Sequence, residues 1–503
     1  MKYPYNELID KIKMIKNFLE IWKKLIDKPV FVVGFITLLG SIIRLYHLDF
    51  KPLWLDEAVI YWISNSGSLN NIIEANALQN SAPPFFVILI YLIQIFGDSE
   101  LILRLIPYIA GVLSIPAMYL LSQQFVGKNS SYFISLIICF SPTLVKYSQE
   151  LREYSLTFLL STLMLLFFIS YVRNSKVRFL FLLALVMIIS VLTQYGLSLL
   201  IICLNFVFFL IIFYDKCNHK SKFIYWGISQ LLVVASVLLI YFLSLRDQMV
   251  VGWGNSSTSG YLYNAYWQKT DISLIKFGVI QTYKILQFAF PSILFIFITV
   301  IGFLSGIRNK KLLLPLLLFI IPTILTFSLS LVKLYPYHGG RHVIFLLPMI
   351  YILATLGINQ LLRINNLKWV GLAILFILLF TGFTSTWKYL NTPARENIKP
   401  VVQTLQNSYN ENDLIYIYYA AKPAFTYYYR ENFEDQFFGS SNRNNVESYY
   451  EELDEILSLN KPIWIVFSHC YPNECNLIPD YISNFRSITL KVEEEDAFLY
   501  YVE

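Results

Sequence analysis

Charge is what this 503-residue sequence has least of: 14% of its residues are Asp, Glu, Lys or Arg, against 56% hydrophobic, and the mean hydropathy is +0.55. That excludes a soluble globular protein, because so much apolar surface has to be placed in lipid. Cysteine is scarce as well. The five cysteines lack metal-ligand spacing, which argues against a zinc module, and only Cys470 and Cys475 lie close together. They can form a disulfide if their segment is outside the cytosol. A Gly-rich phosphate loop in a usable context is missing as well. Internal repeats are missing too, as is any low-complexity linker beyond the short Asn391–Pro400 junction. A cleavable signal peptide is not expected, since Lys2, Lys11, Lys13, Lys16, Lys23, Lys24 and Lys28 precede the first apolar run. The formal charge of +6 does not point to nucleic acid, because basic residues of a membrane protein collect on cytoplasmic loops.

What is there is a series of long apolar runs. The first, Pro29 to about Leu48, follows the basic segment 1–28 and should cross outward. Further runs at about 101–124, 130–146, 155–172, 178–194, 196–214, 223–245, 276–305, 311–332, 342–362 and 368–386 bring the count to eleven spans. The run Ala82–Gly97 holds only sixteen residues where a span needs roughly twenty, and it reads as a juxtamembrane or re-entrant helix. Charge parity supports that exclusion. Without it, Lys128, the Arg173/Lys176/Arg178 group, the Lys216/Lys220/Lys222 group, the Arg308/Lys310/Lys311 group and the Arg363/Lys368 pair all fall on inward loops. Beyond Thr386 the composition turns polar. Residues 387–503 read as helix 396–408, strand Asp413–Tyr419, helices Lys422–Tyr429 and Asn445–Leu459, strand Pro462–Ser468 and strands near 486–493 and 496–502. The fold class expected is therefore an all-α polytopic membrane domain over 29–386, with a small extracytoplasmic α/β domain over 387–503. Glu493-Glu494-Glu495-Asp496 reads as a solvated turn before a terminal edge strand.

The same parity gathers four polar sets on one extracytoplasmic face: Asp56-Glu57, the loop Ser148–Tyr154, Gln194-Tyr195-Gly196, and Tyr337–His342. Ionisable groups converging at one face of an apolar bundle suggest the lining of a cavity, and the alternative at each site is a side chain snorkelling to water. Asp56 follows the amphipathic turn Leu53-Trp54-Leu55, at the height of a lipid headgroup, where a carboxylate can take a proton from an attacking hydroxyl. Glu57 either shares that role or positions a hydroxyl or metal, and Glu150 adds a third candidate catalytic carboxylate. Arg152 suits a phosphate or a structural salt bridge equally, and Arg341, after Gly339-Gly340, suits stabilisation of an anionic leaving group. Tyr154, Tyr195 and His338 complete the candidate substrate contacts. His338 and His342, four apart across a Gly-Gly turn, lack a helical ligand face, although a divalent metal is left open. Aromatics in 246–275 (Trp253, Tyr261, Tyr263, Tyr266, Trp267) either stack on sugar rings or anchor the interface.

Several motifs in order resemble the GT-C glycosyltransferases, in the branch that holds protein O-mannosyltransferases and the aminoarabinose transferase of lipid A. They are Trp54-Leu55-Asp56-Glu57-Ala58; Ala82-Pro83-Pro84-Phe85-Phe86 with Leu103-Arg104-Leu105-Ile106-Pro107; the run Tyr147–Tyr154; Gln194-Tyr195-Gly196; and the run Gly340–Pro348. The resemblance spans about 40–350 and implies a sugar donor on polyprenyl phosphate and transfer on the extracytoplasmic face. It further implies a lipid, glycan or protein acceptor, with Asp56 as the first-loop acid, Glu150 and Arg152 as second-loop groups and Arg341 as the basic residue opening a late span. Two departures stand out: Ala82 where the family commonly has His or Lys, and Gln194 where a His is common. A basic contact to the donor phosphate is then either missing or supplied by Arg341, Arg152 or Arg44. The competing class is a non-enzymatic transporter, which should show inverted repeats and polar broken helices near the midplane; a structural subunit is the third.

Overall fold

A computed structural model describes residues 28–214, 220–251, 260, 262–309, 312–429, 436–440, 446–471 and 474–503. The basic segment 1–27, Lys216, Trp253, Tyr261, Lys310 and Lys311 lie outside the described residues.

Seven of the eleven expected runs form helices long and apolar enough to cross a bilayer: Leu105–Val126, Tyr154–Asn174, Gly196–Phe213, Lys222–Val250, Leu313–Leu331, Arg341–Arg363 and Asn365–Asn391. This is a multi-pass membrane protein. Two more runs, Pro29–Leu45 and Val177–Thr193, are apolar helices of 17 residues each. The remaining two differ from expectation because proline interrupts them. Run 130–146 divides into Lys128–Cys139 and Pro142–Ser148 at Pro142, and run 276–305 divides into Leu274–Ala289 and Ile293–Arg308, bent by 110° around Pro291. Proline supplies no amide hydrogen to the preceding turn, so a helix ends there unless something else satisfies the carbonyls.

Two helices are central. The apolar window of Arg341–Arg363 is 89% buried and that of Tyr154–Asn174 is 78% buried, whereas Asn365–Asn391 and Lys222–Val250 are each 28% buried and turn most of their surface to lipid. Close packing on the first centre depends on two glycines: a Cβ on Gly302 would collide with the Leu353 carbonyl, and one on Gly357 with the Ile298 carbonyl. Small residues at such a crossing let two backbones meet, which is how membrane helices gain dispersion contacts.

A second core lies beside the bundle, built jointly from the first loop and the C-terminal residues. The short helices Leu55–Ser64, Leu69–Gln79 and Phe85–Ile93 contribute Ile60, Ile63, Ile72, Phe86 and Ile90 to the same apolar cluster as Ile398, Val402, Phe425, Ile465 and Leu499. Phe85–Ile93 with the turn Gln94–Phe96 is thus an apolar helix of less than span length that packs in this layer. Five strands form the C-terminal sheet, β1 Leu414–Ile417, β2 Gln436–Phe438, β3 Ile463–Ser468, β4 Ile488–Glu494 and β5 Ala497–Val502, in the order β2-β1-β3-β5-β4. β2, β1 and β3 run parallel, and β5 is antiparallel to both β3 and β4. The expected α/β layer is present, with helices Ile398–Ser408, Lys422–Tyr428 and Val446–Ser458 where the pattern puts them and an additional helix Glu474–Ser483. The terminal strand is a correction: β5 is interior and β4 takes the edge, because β5 (Ala497, Leu499, Val502 buried) carries the more apolar face. Nor is the acidic run only a solvated turn, since Glu494 accepts from the Asn397 side chain and Asp496 from the Cys470 amide.

Candidate active site

Each residue around Trp54 is fastened to a different part of the chain. The Leu53 amide donates to Tyr428 Oη at 2.8 Å and the Leu55 amide to Glu396 Oε2 at 2.8 Å. Arg341 Nη1 donates to Asp56 Oδ2 at 2.7 Å, and Arg152 Nη1 to the Asp56 carbonyl at 3.3 Å. Glu57 takes a bidentate pair from Arg104, 3.0 Å to Oε1 and 2.7 Å to Oε2, and Oε1 also accepts the Leu151 amide at 2.5 Å. Helix Leu55–Ser64 therefore starts with its two adjacent carboxylates facing opposite tasks: Asp56 remains 27% exposed at the side chain, while Glu57 is 1% exposed. Arg104, itself 2% exposed, also donates to the carbonyls of Leu48, Lys51 and Pro52, so the Glu57–Arg104 pair ties the end of the first helix to the loop.

The central helices deliver the cations. Arg341 opens the buried helix Arg341–Arg363, and Arg152 sits in the turn before Tyr154–Asn174. Both guanidinium groups stand over the Tyr154 ring, at 5.4 Å for Arg152 and 5.8 Å for Arg341, and Tyr154 meets Tyr147 edge to face at 5.0 Å. Burial by itself would raise the Asp56 carboxyl; the charges of Arg152 and Arg341, the Arg341 hydrogen bond and the nearby His469 overcome it and hold the group below its ordinary value. Arg152 is buried, with Nε making no hydrogen bond and Glu153 3.4 Å away, so it keeps donor capacity beside Asp56.

Glu150 stands a little apart. It pairs with Lys146 at 3.5 Å, and burial, opposed in part by Lys146, raises its carboxyl above the ordinary range. Lys51 belongs to the same group: its ammonium donates to the Tyr389 carbonyl at 2.8 Å, and burial, with Lys146 close by, lowers it to about 8. His338 and His342 face each other at 3.1 Å between ring nitrogens, and burial beside Arg341 and Lys284 lowers His338 to about 4, so it is neutral at pH 7. Tyr195 is joined to another group. Its hydroxyl donates to Gln248 Oε1 at 2.7 Å, and Gln248 in turn donates to the carbonyls of Asn80 and Ala82. The departure at Ala82 is thereby accommodated: the residue is 6% exposed and its carbonyl also takes the Asn76 amide group, a packed position. In the loop 246–275, Tyr266 is buried and Tyr263 pairs with Asp271.

Arg44, one of the three cations weighed for the phosphate, is a correction. It is fully buried and spends its guanidinium on the carbonyls of Gly40, Ile138 and Cys139 and on Ser148 Oγ. The groups that sequence reasoning missed are Arg104, Lys51, Glu396 and His469. For Arg104 the signal existed in the Leu103–Pro107 motif; for the last two there was none, as they come from a junction and a strand end. Cys470 and Cys475 form a disulfide with Cα atoms 5.7 Å apart. Among the described residues one trio, Glu396, His469 and Asp496, brings potential metal ligand atoms within 4.8 Å of one another. Those atoms already serve each other and the backbone: His469 Nδ1 lies 2.7 Å from Glu396 Oε1, and Asp496 Oδ1 accepts the Cys470 amide at 3.0 Å.

The polytopic bundle with a small α/β unit resting on its first loop has the GT-C fold of integral-membrane glycosyltransferases. Residues 81–241 match the family described as dolichyl-phosphate-mannose-protein mannosyltransferase. Among solved structures the chain is similar to ArnT from Cupriavidus metallidurans bound to undecaprenyl phosphate, with TM-score 0.60 and 13% identity over 94% of this chain and 98% of that one. It is similar also to the Archaeoglobus fulgidus oligosaccharyltransferase in complex with zinc and sulfate, with TM-score 0.57 and 13% identity over 93% of this chain and 72% of that one. No curated protein matches the chain.

Proposed function

We propose that this chain is a glycosyltransferase that moves a sugar from a polyprenyl-phosphate donor to a hydroxyl of a lipid, glycan or protein acceptor on the extracytoplasmic face. The observation that carries the reading is the Asp56–Arg341 pair, which joins the first-loop acid at 2.7 Å to a cation 285 residues away at the mouth of the most buried helix. The neighbours lend support, because one was solved with undecaprenyl phosphate and another with a tethered acceptor peptide.

The pair implies an order of events. A carboxylate held by a guanidinium is a weak base, and a donor phosphate is a second anion for which Arg341 can exchange it. Once Arg341 and Arg152 engage the phosphate, Asp56 is released to take the proton of the acceptor hydroxyl. The hydroxyl oxygen then bonds to the anomeric carbon, the carbon–oxygen bond to phosphate breaks with inversion, and the departing phosphate stays neutralised by the two arginines. Glu57 has no part in the transfer, since its oxygens are committed to Arg104 and Leu151. Glu150, with its raised carboxyl, is the second candidate for the base.

Proteoliposomes containing the protein, supplied with undecaprenyl-phosphate-linked mannose, glucose or aminoarabinose and an envelope extract, test this by release of undecaprenyl phosphate coupled to sugar transfer. Asp56→Asn should keep wild-type expression and folding and lose at least a thousandfold in turnover, in the range expected for removing an acid–base group whose charge also positions substrate. Near-normal turnover by the folded variant would remove Asp56 from the mechanism.

A further inference from the structure

The turn that presents Asp56 is held from above. Two of its amides, Leu53 and Leu55, donate to groups that both belong to the C-terminal part of the chain, Tyr428 and Glu396. Leu55 is the first residue of its helix, where the amide has no partner within the helix, and the N-cap residue Trp54 offers no side-chain acceptor. Glu396 supplies the missing cap from about 340 residues away in sequence, and its other oxygen meets His469 Nδ1 at 2.7 Å, with the imidazole donating to the carboxylate.

The geometry points to a positioning clasp: Glu396 and His469 fix the Leu55 amide, and through it the Asp56 carboxylate, so that the C-terminal region is a working part of the transferase site. This rests on the glycosyltransferase reading given above.

The surroundings over-determine the clasp. The Glu396 side chain is 1% exposed, and it sits in the junction after the last span, where φ is +65°. His469, directly after β3, has φ +55°, and Asp496, in the β4–β5 turn, has φ +53°. Left-handed backbone at three non-glycine residues persists only where contacts hold it. Here the His469 amide donates to the Asp496 carbonyl, the Cys470 amide to the Asp496 carboxylate, and the Asn397 amide to the Glu495 carbonyl. The Cys470–Cys475 disulfide closes the segment on its far side. β3 belongs to the parallel part of the sheet, so His469 occupies the carboxyl end of a strand, the edge at which open α/β sheets place working residues. His469 is also near enough to Asp56 to favour its charged form. Asp56 is thus bracketed by Arg341 and Arg152 from the bundle and by Glu396 and His469 from the C-terminal region.

Hydrogen exchange on the full-length protein in nanodiscs reads the clasp without any substrate. Glu396→Ala should deprotect the peptide covering Leu53–Ile60 at least tenfold and leave peptides of Tyr154–Asn174 unchanged; equal protection in that variant overturns the proposal. With undecaprenyl phosphate mannose as donor probe, Glu396→Ala and His469→Ala should each lower kcat at least tenfold with the donor KM within threefold. His469→Asn, whose Nδ2 can stand where Nδ1 stood, should remain within threefold of wild type. The double variant Glu396→Ala/His469→Ala should be no slower than the slower single, because both remove one device; multiplied losses overturn the proposal. Stoichiometric zinc in the purified protein, absent from His469→Asn, would also overturn it, in favour of a metal site. If no polyprenyl-phosphate donor supports turnover in the wild type, the enzyme reading fails while the exchange experiment still decides the clasp.

Discussion

Two carboxylates one residue apart receive opposite environments, and this separates their chemistry. Asp56 keeps access and pairs with Arg341, whereas Glu57 is sealed with Arg104, a pair whose loss of one partner leaves a buried charge at a cost of about 3–5 kcal/mol. The opposite shifts of Asp56 and Glu150 give a pH test of which group is the base. Asp56 lies below its ordinary 3.8 and Glu150 above its ordinary 4.5. A base works when deprotonated, so with Asp56 in that role the acid limb of kcat/KM falls below pH 3.8, and with Glu150 above pH 4.5. The expected profile stays flat as pH falls through 4.5, measured in proteoliposomes whose integrity is checked at each pH. Stability follows the same sign: the depressed Asp56 contributes fully above pH 3.8 and loses its contribution as pH falls through its folded value. Asp56, Arg152 and Arg341 were legible in the sequence because charges at the outer ends of apolar runs are conspicuous and parity puts them on one face. Glu57's partner was not legible, since nothing local to Arg104 says that its guanidinium turns back 47 residues.

At the scale of elements, apolar run length locates membrane helices but not their breaks. Proline at 142 and 291 decides those, and a hydropathy window averages across a single proline. The short strand β2 (Gln436–Phe438) and the helix Glu474–Ser483, with Pro479 inside it, escaped the pattern for a related reason: three residues show no period, and an internal proline argues against helix. The crossing of Ile293–Arg308 on Leu347–Arg363 makes a prediction of its own. Gly357→Leu forces a side chain against the Ile298 backbone carbonyl, which cannot move aside without shifting a helix that supports the site. Overpacking of this kind costs about 1–3 kcal/mol or more. The variant should melt at lower temperature in detergent than wild type by fluorescence-detected gel filtration, whereas Gly227→Leu, at a position with open space around the Cβ, should match wild type. Equal melting of the two variants would mean that this contact does not hold the bundle.

The molecule as a whole has to place its site on one side of a bilayer, and here sequence and structure constrain each other. Parity puts the loop after Ile293–Arg308 inside and the loop before Leu274–Ala289 outside, with Asp56, Arg152 and Arg341 on the outer side. Two residues from distant loops, Arg152 and Arg341, do meet at Asp56, as a common side requires, and the C-terminal Cys470–Cys475 disulfide is the form favoured by an oxidising compartment. The bend of 110° between Leu274–Ala289 and Ile293–Arg308 is the weak point of the parity count, because a re-entrant pair returns to the side from which it came. Cysteine mapping settles it on a background with Cys139, Cys203 and Cys217 replaced by Ser. Asn309→Cys and Gly260→Cys both place an exposed thiol at the surface of the protein. If the pair crosses, a membrane-impermeant maleimide added to intact cells labels position 260 and reaches 309 only after lysis. If it is re-entrant, both positions react alike, all later helices reverse, and Arg341 would face the side opposite to Asp56. The 2.7 Å pair between those two residues forbids that outcome, so unequal labelling is the expected result.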